Sequence, residues 1–230
     1  MIAPGAPGAP DGPGAPAAPE LVLHVGNRRY SSWSLRPYLA LAATGAPFRT
    51  EVILLDRPET RRELLAVNPA GRVPVLHHGP LVVHDSLAIC EYVHELFPAA
   101  GLWPADRADR ARARAITAEM HAGFAALRGA MSMDLLGHRP GHGHTPEALA
   151  DARRVLEVWR DARARATGGP FLFGTFTIAD AFYAPVATRF LTYGVPLDEV
   201  GRAYVAAVTA LPAFVAWREA ARAEPELPGH

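Results

Sequence analysis

The chain is predicted to fold as a small α/β unit with a mixed sheet, followed by an all-α unit. Three observations predict this. From Glu20 to Leu102, short runs of aliphatic and β-branched residues alternate with helical stretches. From Pro104 onward the strand signal is gone, and apolar residues recur three or four positions apart. Before Glu20 there is almost nothing to bury: Pro4, Pro7, Pro10, Pro13, Pro16 and Pro19 recur at every third position among Gly and Ala. Asp11 and Ala17 break the glycine period that collagen needs, so residues 1–19 read as an extended, mobile, polyproline-like tail. The expected division is a tail at 1–19, an α/β domain at 20–102 and a helical domain at 103–230.

Leu21 to Val25 reads as the first strand, and Leu35 to Thr44 as a helix stopped by Gly45. Phe48 to Leu55 is a second strand, centred on Val52, Ile53 and Leu54, and Glu59 to Val67 a short helix. Val73 to Leu76 and Leu81 to Val83 are strands joined by His77-His78-Gly79-Pro80, and Ser86 to Phe97 closes the unit as a helix. A βαβ unit demands parallel pairing and a hairpin antiparallel pairing, so the four-stranded sheet is mixed. Downstream, Ile116, Met120, Phe124, Leu127, Met131 and Leu135 form one stripe, expected on a single long helix. Leu149, Ala152, Val155, Leu156 and Trp159 mark a second helix, Thr177 to Phe190 a third, and Val200 to Ala210 and Pro212 to Ala223 two more. Thr177-Ile178-Ala179-Asp180 has the form of a capping box with Asp at the acidic position. Trp159 and Trp217 are expected in the core.

Among 230 residues, Lys+Arg and Asp+Glu are both 23, so no net basic field draws nucleic acid or anionic membrane. No apolar run is long enough for a membrane span, and the N-terminus has neither a basic nor an apolar signal region, so the expected location is the cytoplasm. The single cysteine, Cys90, excludes an internal disulfide, a CxxC pair and a multi-cysteine zinc site. It reads as a buried structural thiol. His138, His142 and His144 share a Gly/Pro-containing loop, but no nearby carboxylate or cysteine completes a metal set, so no metal is expected.

Three local features of the first domain bear on chemistry. Tyr30-Ser31-Ser32-Trp33-Ser34-Leu35-Arg36 joins the first strand to the first helix, placing hydroxyls beside unpaired amides and the positive end of a helix dipole. One of those serines serving only as a helix cap is the plainer alternative. Asn68-Pro69-Ala70-Gly71-Arg72-Val73-Pro74 leads into a strand, where a cis Val73-Pro74 bond would open the Val73 backbone to a ligand. Alone it also reads as a turn. His84-Asp85-Ser86 precedes a helix, and can either cap it or hold a zwitterion, the serine binding a carboxylate and the aspartate an ammonium.

In this order, SSxS, NPxGxVPVL, DSLAIxEYV and a helical-domain TxAD, the chain resembles the cytosolic glutathione S-transferases from about Leu21 to Ala223. Ser31-Ser32 makes the serine-type branch nearest, including the zeta class and maleylacetoacetate isomerases. The resemblance implies a thioredoxin-like N-terminal domain, a helical-bundle C-terminal domain that walls the acceptor site, glutathione as co-substrate, a small electrophilic acceptor and a homodimer. It implies that Ser31 hydrogen-bonds the glutathione sulfur, with Ser32 the neighbouring candidate. Val73, before Pro74, would pair with the cysteinyl backbone, Asp85 and Ser86 would grip the γ-glutamyl group, and Arg72 would face a carboxylate. Trp33 stands where the zeta class has its cysteine, which favours thiolate addition or substitution over cysteine-dependent chemistry. The activity implied is glutathione transfer; a glutathione-dependent cis–trans isomerase and a non-catalytic binding protein are the alternatives. His121 and Arg128 lie one heptad apart, either solvated or facing the interdomain cleft, where Arg128 would bind an acidic acceptor. Met120, Phe124 and Tyr183 suit the core, and some of them are expected to line the acceptor pocket.

Overall fold

The computed structural model describes residues 20–225. The polyproline-like reading of residues 1–19 lies outside the described residues. The first domain contains β1 (Leu21–Val25), α1 (Ser32–Thr44), β2 (Arg49–Val52), α2 (Thr60–Val67), β3 (Val75–His78), β4 (Leu81–His84) and α3 (Ser86–Leu96). The sheet order is β2-β1-β3-β4; β1 and β2 run parallel, and both other pairings are antiparallel. The mixed sheet and its thioredoxin-like connectivity are as expected. β1 is central, and Leu21, Leu23 and Val25, alternate residues on one of its faces, are all buried in the core. Gly45 ends α1 at φ 71°, the left-handed conformation that favours glycine.

The helical domain comprises α4 (Arg107–Ala122), α5 (Ala125–Ala130), α6 (Pro146–Arg165), α7 (Ile178–Tyr193), α8 (Glu199–Thr209) and α9 (Pro212–Arg222). The single long helix expected through Leu135 is a correction. The chain breaks at Gly123 and Phe124, and Phe124 takes a left-handed φ of 56°. A side chain at Gly123 would sit 2.7 Å from the Glu119 carbonyl oxygen, so this close turn needs glycine. Met120, Phe124, Leu127 and Met131 still reach the core across the break, while Leu135 lies in the following loop, half-buried.

α7 is the pillar between the domains and packs on α1, α4 and α8. It is mostly apolar, rich in Ala and buried on every face, Leu191 being its exposed exception; such a helix belongs inside a fold. Its start is tied down by the expected Thr177–Asp180 capping box. Asp180 Oδ2 accepts from the Thr177 N–H at 2.8 Å and the Thr177 hydroxyl at 2.9 Å, and Oδ1 accepts from the Leu172 N–H at 3.0 Å. Trp159 and Trp217 are buried as expected, and Trp217 Nε1 donates to the Arg28 carbonyl at 2.9 Å, joining α9 to the loop after β1. Among the described residues, no single helix is long and apolar enough to cross a membrane.

Candidate functional site

At the C-terminal end of β1 and the start of β3, a cleft of about 520 Å³ opens, lined by Trp33, Asn68, Arg72, Val73, Pro74, Asp85 and Ser86 among others. Sequence reasoning had singled out Arg72 to Pro74, Asp85 and Ser86 from two separate segments, and the fold brings them to one cleft. The Val73–Pro74 peptide bond is cis. Asn68 holds the approach loop: its Nδ2 donates to the Arg72 carbonyl at 3.0 Å, and its Oδ1 accepts from the Ala70 N–H at 3.0 Å. A slightly larger hollow of about 580 Å³ lies at the other end of the sheet, between Leu21, Phe48, His78 and Phe97. It lies away from the serines and the helix N-termini.

Ser31 occupies the N-cap position of α1, yet its side chain makes no capping bond. Its hydroxyl instead lies 2.8 Å from the Ser34 hydroxyl, which accepts the Gly26 N–H at 3.0 Å. Either hydroxyl of this pair can be the donor, and when Ser34 donates, the Ser31 proton is left for another acceptor. Ser32 is engaged differently: its oxygen accepts from Arg189 Nη2 at 3.3 Å.

Asp85 caps α3 through Oδ1, which accepts from the Leu87 N–H at 2.8 Å and the Ala88 N–H at 3.4 Å. Ser86 is buried, and its hydroxyl has no hydrogen-bond partner among the described residues. Such a group at a helix N-terminus is suited to an anion.

Around Trp33 sits a cluster of cations that sequence reasoning mostly missed. The Arg36 guanidinium lies 4.2 Å from the Trp33 ring centre and 4.7 Å from that of Phe182. It is fully buried, and its nitrogens find no hydrogen-bond partner among the described residues. Burial, with Arg189 and Arg128 nearby, pushes its pKa down to about 9. Arg189 is held by the Met131 carbonyl at 2.8 Å, and burial pushes it down to about 10. Arg128 lies 5.3 Å from the Trp33 ring centre, and its Nη1 donates to the His121 carbonyl at 3.2 Å. The signal for Arg36 and Arg189 was a lone arginine inside an otherwise apolar helical run. His121 and Arg128 thus face the cleft side of the helical domain. Met120 and Tyr183 do not: both are fully buried, and the Tyr183 hydroxyl donates to the Ile116 carbonyl at 3.1 Å. Phe124 is 7% exposed and belongs to the core. The core placement expected for these three is what the structure has, and none of them lines this cleft. Cys90 is fully buried, and burial pushes its thiol well up, which leaves it inert. Among the described residues, no group of three or more His, Cys, Asp or Glu side chains converges as a metal would need.

Models of the glutathione S-transferase N-terminal and C-terminal domains match residues 30–96 and 109–220. The chain belongs to the glutathione S-transferase family. A probable maleylacetoacetate isomerase of Caenorhabditis elegans is 30% identical over 202 residues, covering 85% of this chain and 91% of that protein. Among solved structures, a bacterial zeta-class maleyl pyruvate isomerase superposes with a TM-score of 0.69 at 27% identity, over 89% of this chain and 100% of that one. A glutathione transferase homologue from Burkholderia, solved with bound glutathione, gives 0.68 at 25% identity, covering 89% and 100%. These matches agree with the transferase resemblance and the zeta-like branch read from Ser31-Ser32.

Proposed function

We propose that the chain is a glutathione transferase in which Ser31 stabilises the thiolate for attack on a small electrophile carrying an anionic group. The observation that supports this best is one cleft lined by the Asp85 carboxylate, the unpartnered Ser86 and Trp33, with Ser31, hydrogen-bonded to Ser34, two residues before Trp33. The ammonium of a γ-glutamyl group suits Asp85, and its carboxylate suits Ser86 and the start of α3. Arg72 takes the distal carboxylate, and Val73 pairs with the cysteinyl backbone.

A free thiol of pKa about 8.5 is only about 3% ionised at pH 7. A hydroxyl bond to the anionic sulfur, worth about 1.5–3 kcal/mol, lowers that pKa by about 1–2 units. The N-terminus of α1 adds about 0.3–1 kcal/mol in the same direction. The thiolate then bonds to the electrophilic carbon while the leaving group departs with its electron pair, or the electrons move onto a conjugated carbonyl. Arg128, with Trp33 as a flat platform beside it, is placed for the acceptor's anionic group.

A glutathione-dependent cis–trans isomerase is the second reading, favoured by the isomerase relative that this chain matches over 91% of its length. Both readings share the glutathione cleft and differ in the acceptor. We further propose a cytoplasmic homodimer, supported by Leu81 and Val82 exposed on edge strand β4, and a domain division at 20–102 and 103–230, supported by the spans of the two family matches.

Retention on immobilised glutathione, with turnover of an activated aryl halide and of a cis-unsaturated oxo acid, tests the proposal. Retention with turnover of either acceptor supports glutathione chemistry and separates the two readings. Retention with neither turned over points to a binding protein, and no retention removes glutathione altogether. Asp85→Ala is expected to raise KM for glutathione about tenfold while changing kcat little, because the lost contact acts on ground-state binding. An unchanged KM removes Asp85 from the site.

A further inference from the structure

We infer that His121 is a positioning residue for the γ-glutamyl end of the cleft, and that its imidazolium competes with the glutathione ammonium for Asp85. The inference rests on the glutathione reading above. Asp85 is held in a left-handed backbone conformation, φ 76°, that few non-glycine residues adopt. Its Oδ1 is committed to the first turn of α3. Its Oδ2 lies 3.4 Å from Nε2 of His121, which α4 sends across from the helical domain. An ammonium and an imidazolium are therefore alternative partners of one carboxylate oxygen.

Every element packed on His121 bears on its charge. α1 brings the Arg36 guanidinium and the Trp33 ring, whose centre lies 5.3 Å from the imidazole in an edge-on contact. α5 brings Arg128, bonded to the His121 carbonyl, and α7 brings the Phe182 ring at 5.9 Å. Asp85 at the start of α3 is the counter-charge. Burial and the two guanidiniums disfavour the imidazolium, Asp85 favours it, and the balance lies below the ordinary histidine value. Near neutrality His121 is thus uncharged and leaves Asp85 to the ligand's ammonium. In acid the imidazolium forms, pairs with Asp85 and opposes a second cation there. Proton and glutathione then weaken each other's binding by the same factor, as linkage requires. The clamp joins the domains, so the helical domain acts on glutathione through a residue that need not touch it.

Calorimetric titration with S-methylglutathione tests this, because that ligand has no free thiol and its other groups hold nearly constant charge between about pH 5 and 7.5. The wild type is expected to bind about tenfold more weakly at the acid end. His121→Gln, which keeps a polar side chain but cannot titrate, is expected to bind almost equally well across the range. His84→Gln serves as the control, since His84 also lines the cleft, and should keep the wild-type slope. A wild type that binds equally at all pH values overturns the inference, as does a His121→Gln profile as steep as the wild type's. Flattening by His84→Gln assigns the proton elsewhere and overturns it too. Loss of binding by His121→Gln at every pH marks a merely structural role and has the same consequence. If the wild type binds S-methylglutathione at no pH, the glutathione reading itself falls along with the clamp.

Discussion

Asp180→Ala is expected to destabilise the protein by about 2–4 kcal/mol, far more than an exposed helix cap would cost. The reason is burial. Asp180 is fully buried and accepts from the Leu172 N–H, the Thr177 N–H and the Thr177 hydroxyl. Truncation strands all three donors in the interior, at the start of the helix on which α1, α4 and α8 pack. Thr177→Ala removes one donor and the reciprocal cap, and should cost about 1 kcal/mol. The double variant should lose less than the sum, because the two side chains serve each other. Urea unfolding of the three variants measures this, and unchanged midpoints in both single variants would refute the assignment. The effect should also depend on pH. Burial pushes the Asp180 carboxyl up to about 6 from an ordinary value of 3.8. The folded state therefore holds this proton more tightly than the unfolded chain does, so the group's contribution is full at the lowest pH and is lost as pH rises through about 6. The stability gap between wild type and Asp180→Ala should narrow over that interval.

The capping box could be read from Thr177 and Asp180 because it is local, with every partner but Leu172 within one helical turn. The same holds for β1, α1 and the turn at Gly45, where period, composition and a stop residue agree. The break between α4 and α5 was not legible. The apolar stripe continues through it, and a glycine inside a periodic run reads as tolerated; only the close approach to the Glu119 carbonyl shows why Gly123 turns the chain. The cleft wall formed by Arg72 to Pro74 and Asp85–Ser86 was legible because these residues sit in short motifs. The cation cluster was not, because Arg36 and Arg189 defy the rule that charge stays outside, and their neighbours come from α1, α5 and α7. Met120 and Tyr183 sit in the core, as their spacing suggested, but which of the stripe would also line a cavity was not legible, for a related reason. Spacing tells which face of a helix is apolar, but not whether that face meets a cavity or another helix.

Ser31→Ala is expected to raise the pH at which the bound thiol ionises by about 1–2 units, a change of about 10- to 100-fold in the thiolate equilibrium. Glutathione affinity should change much less, because the proposed contacts of Asp85, Ser86, Arg72 and Val73 remain. The hydroxyl chain sharpens the expectation. Ser34 accepts the Gly26 N–H, and the arrangement that serves activation has the Ser34 proton on Ser31 and the Ser31 proton donated to sulfur. Ser34→Ala should then shift the titration in the same direction by a smaller amount, since Ser31 keeps its proton but loses its orienting partner. Ser32 accepts from Arg189, and Ser32→Ala removes that contact without breaking the chain, so its shift should be smaller than that of Ser31→Ala. Ultraviolet absorbance of the thiolate in the glutathione complex, followed against pH for the wild type and the three variants, ranks them. A large shift for Ser32→Ala with none for Ser31→Ala would move the activating hydroxyl to the next residue and make Arg189 its support. No shift in any variant would leave activation to the N-terminus of α1 and the buried guanidiniums around Trp33, and the hydroxyl mechanism would be wrong.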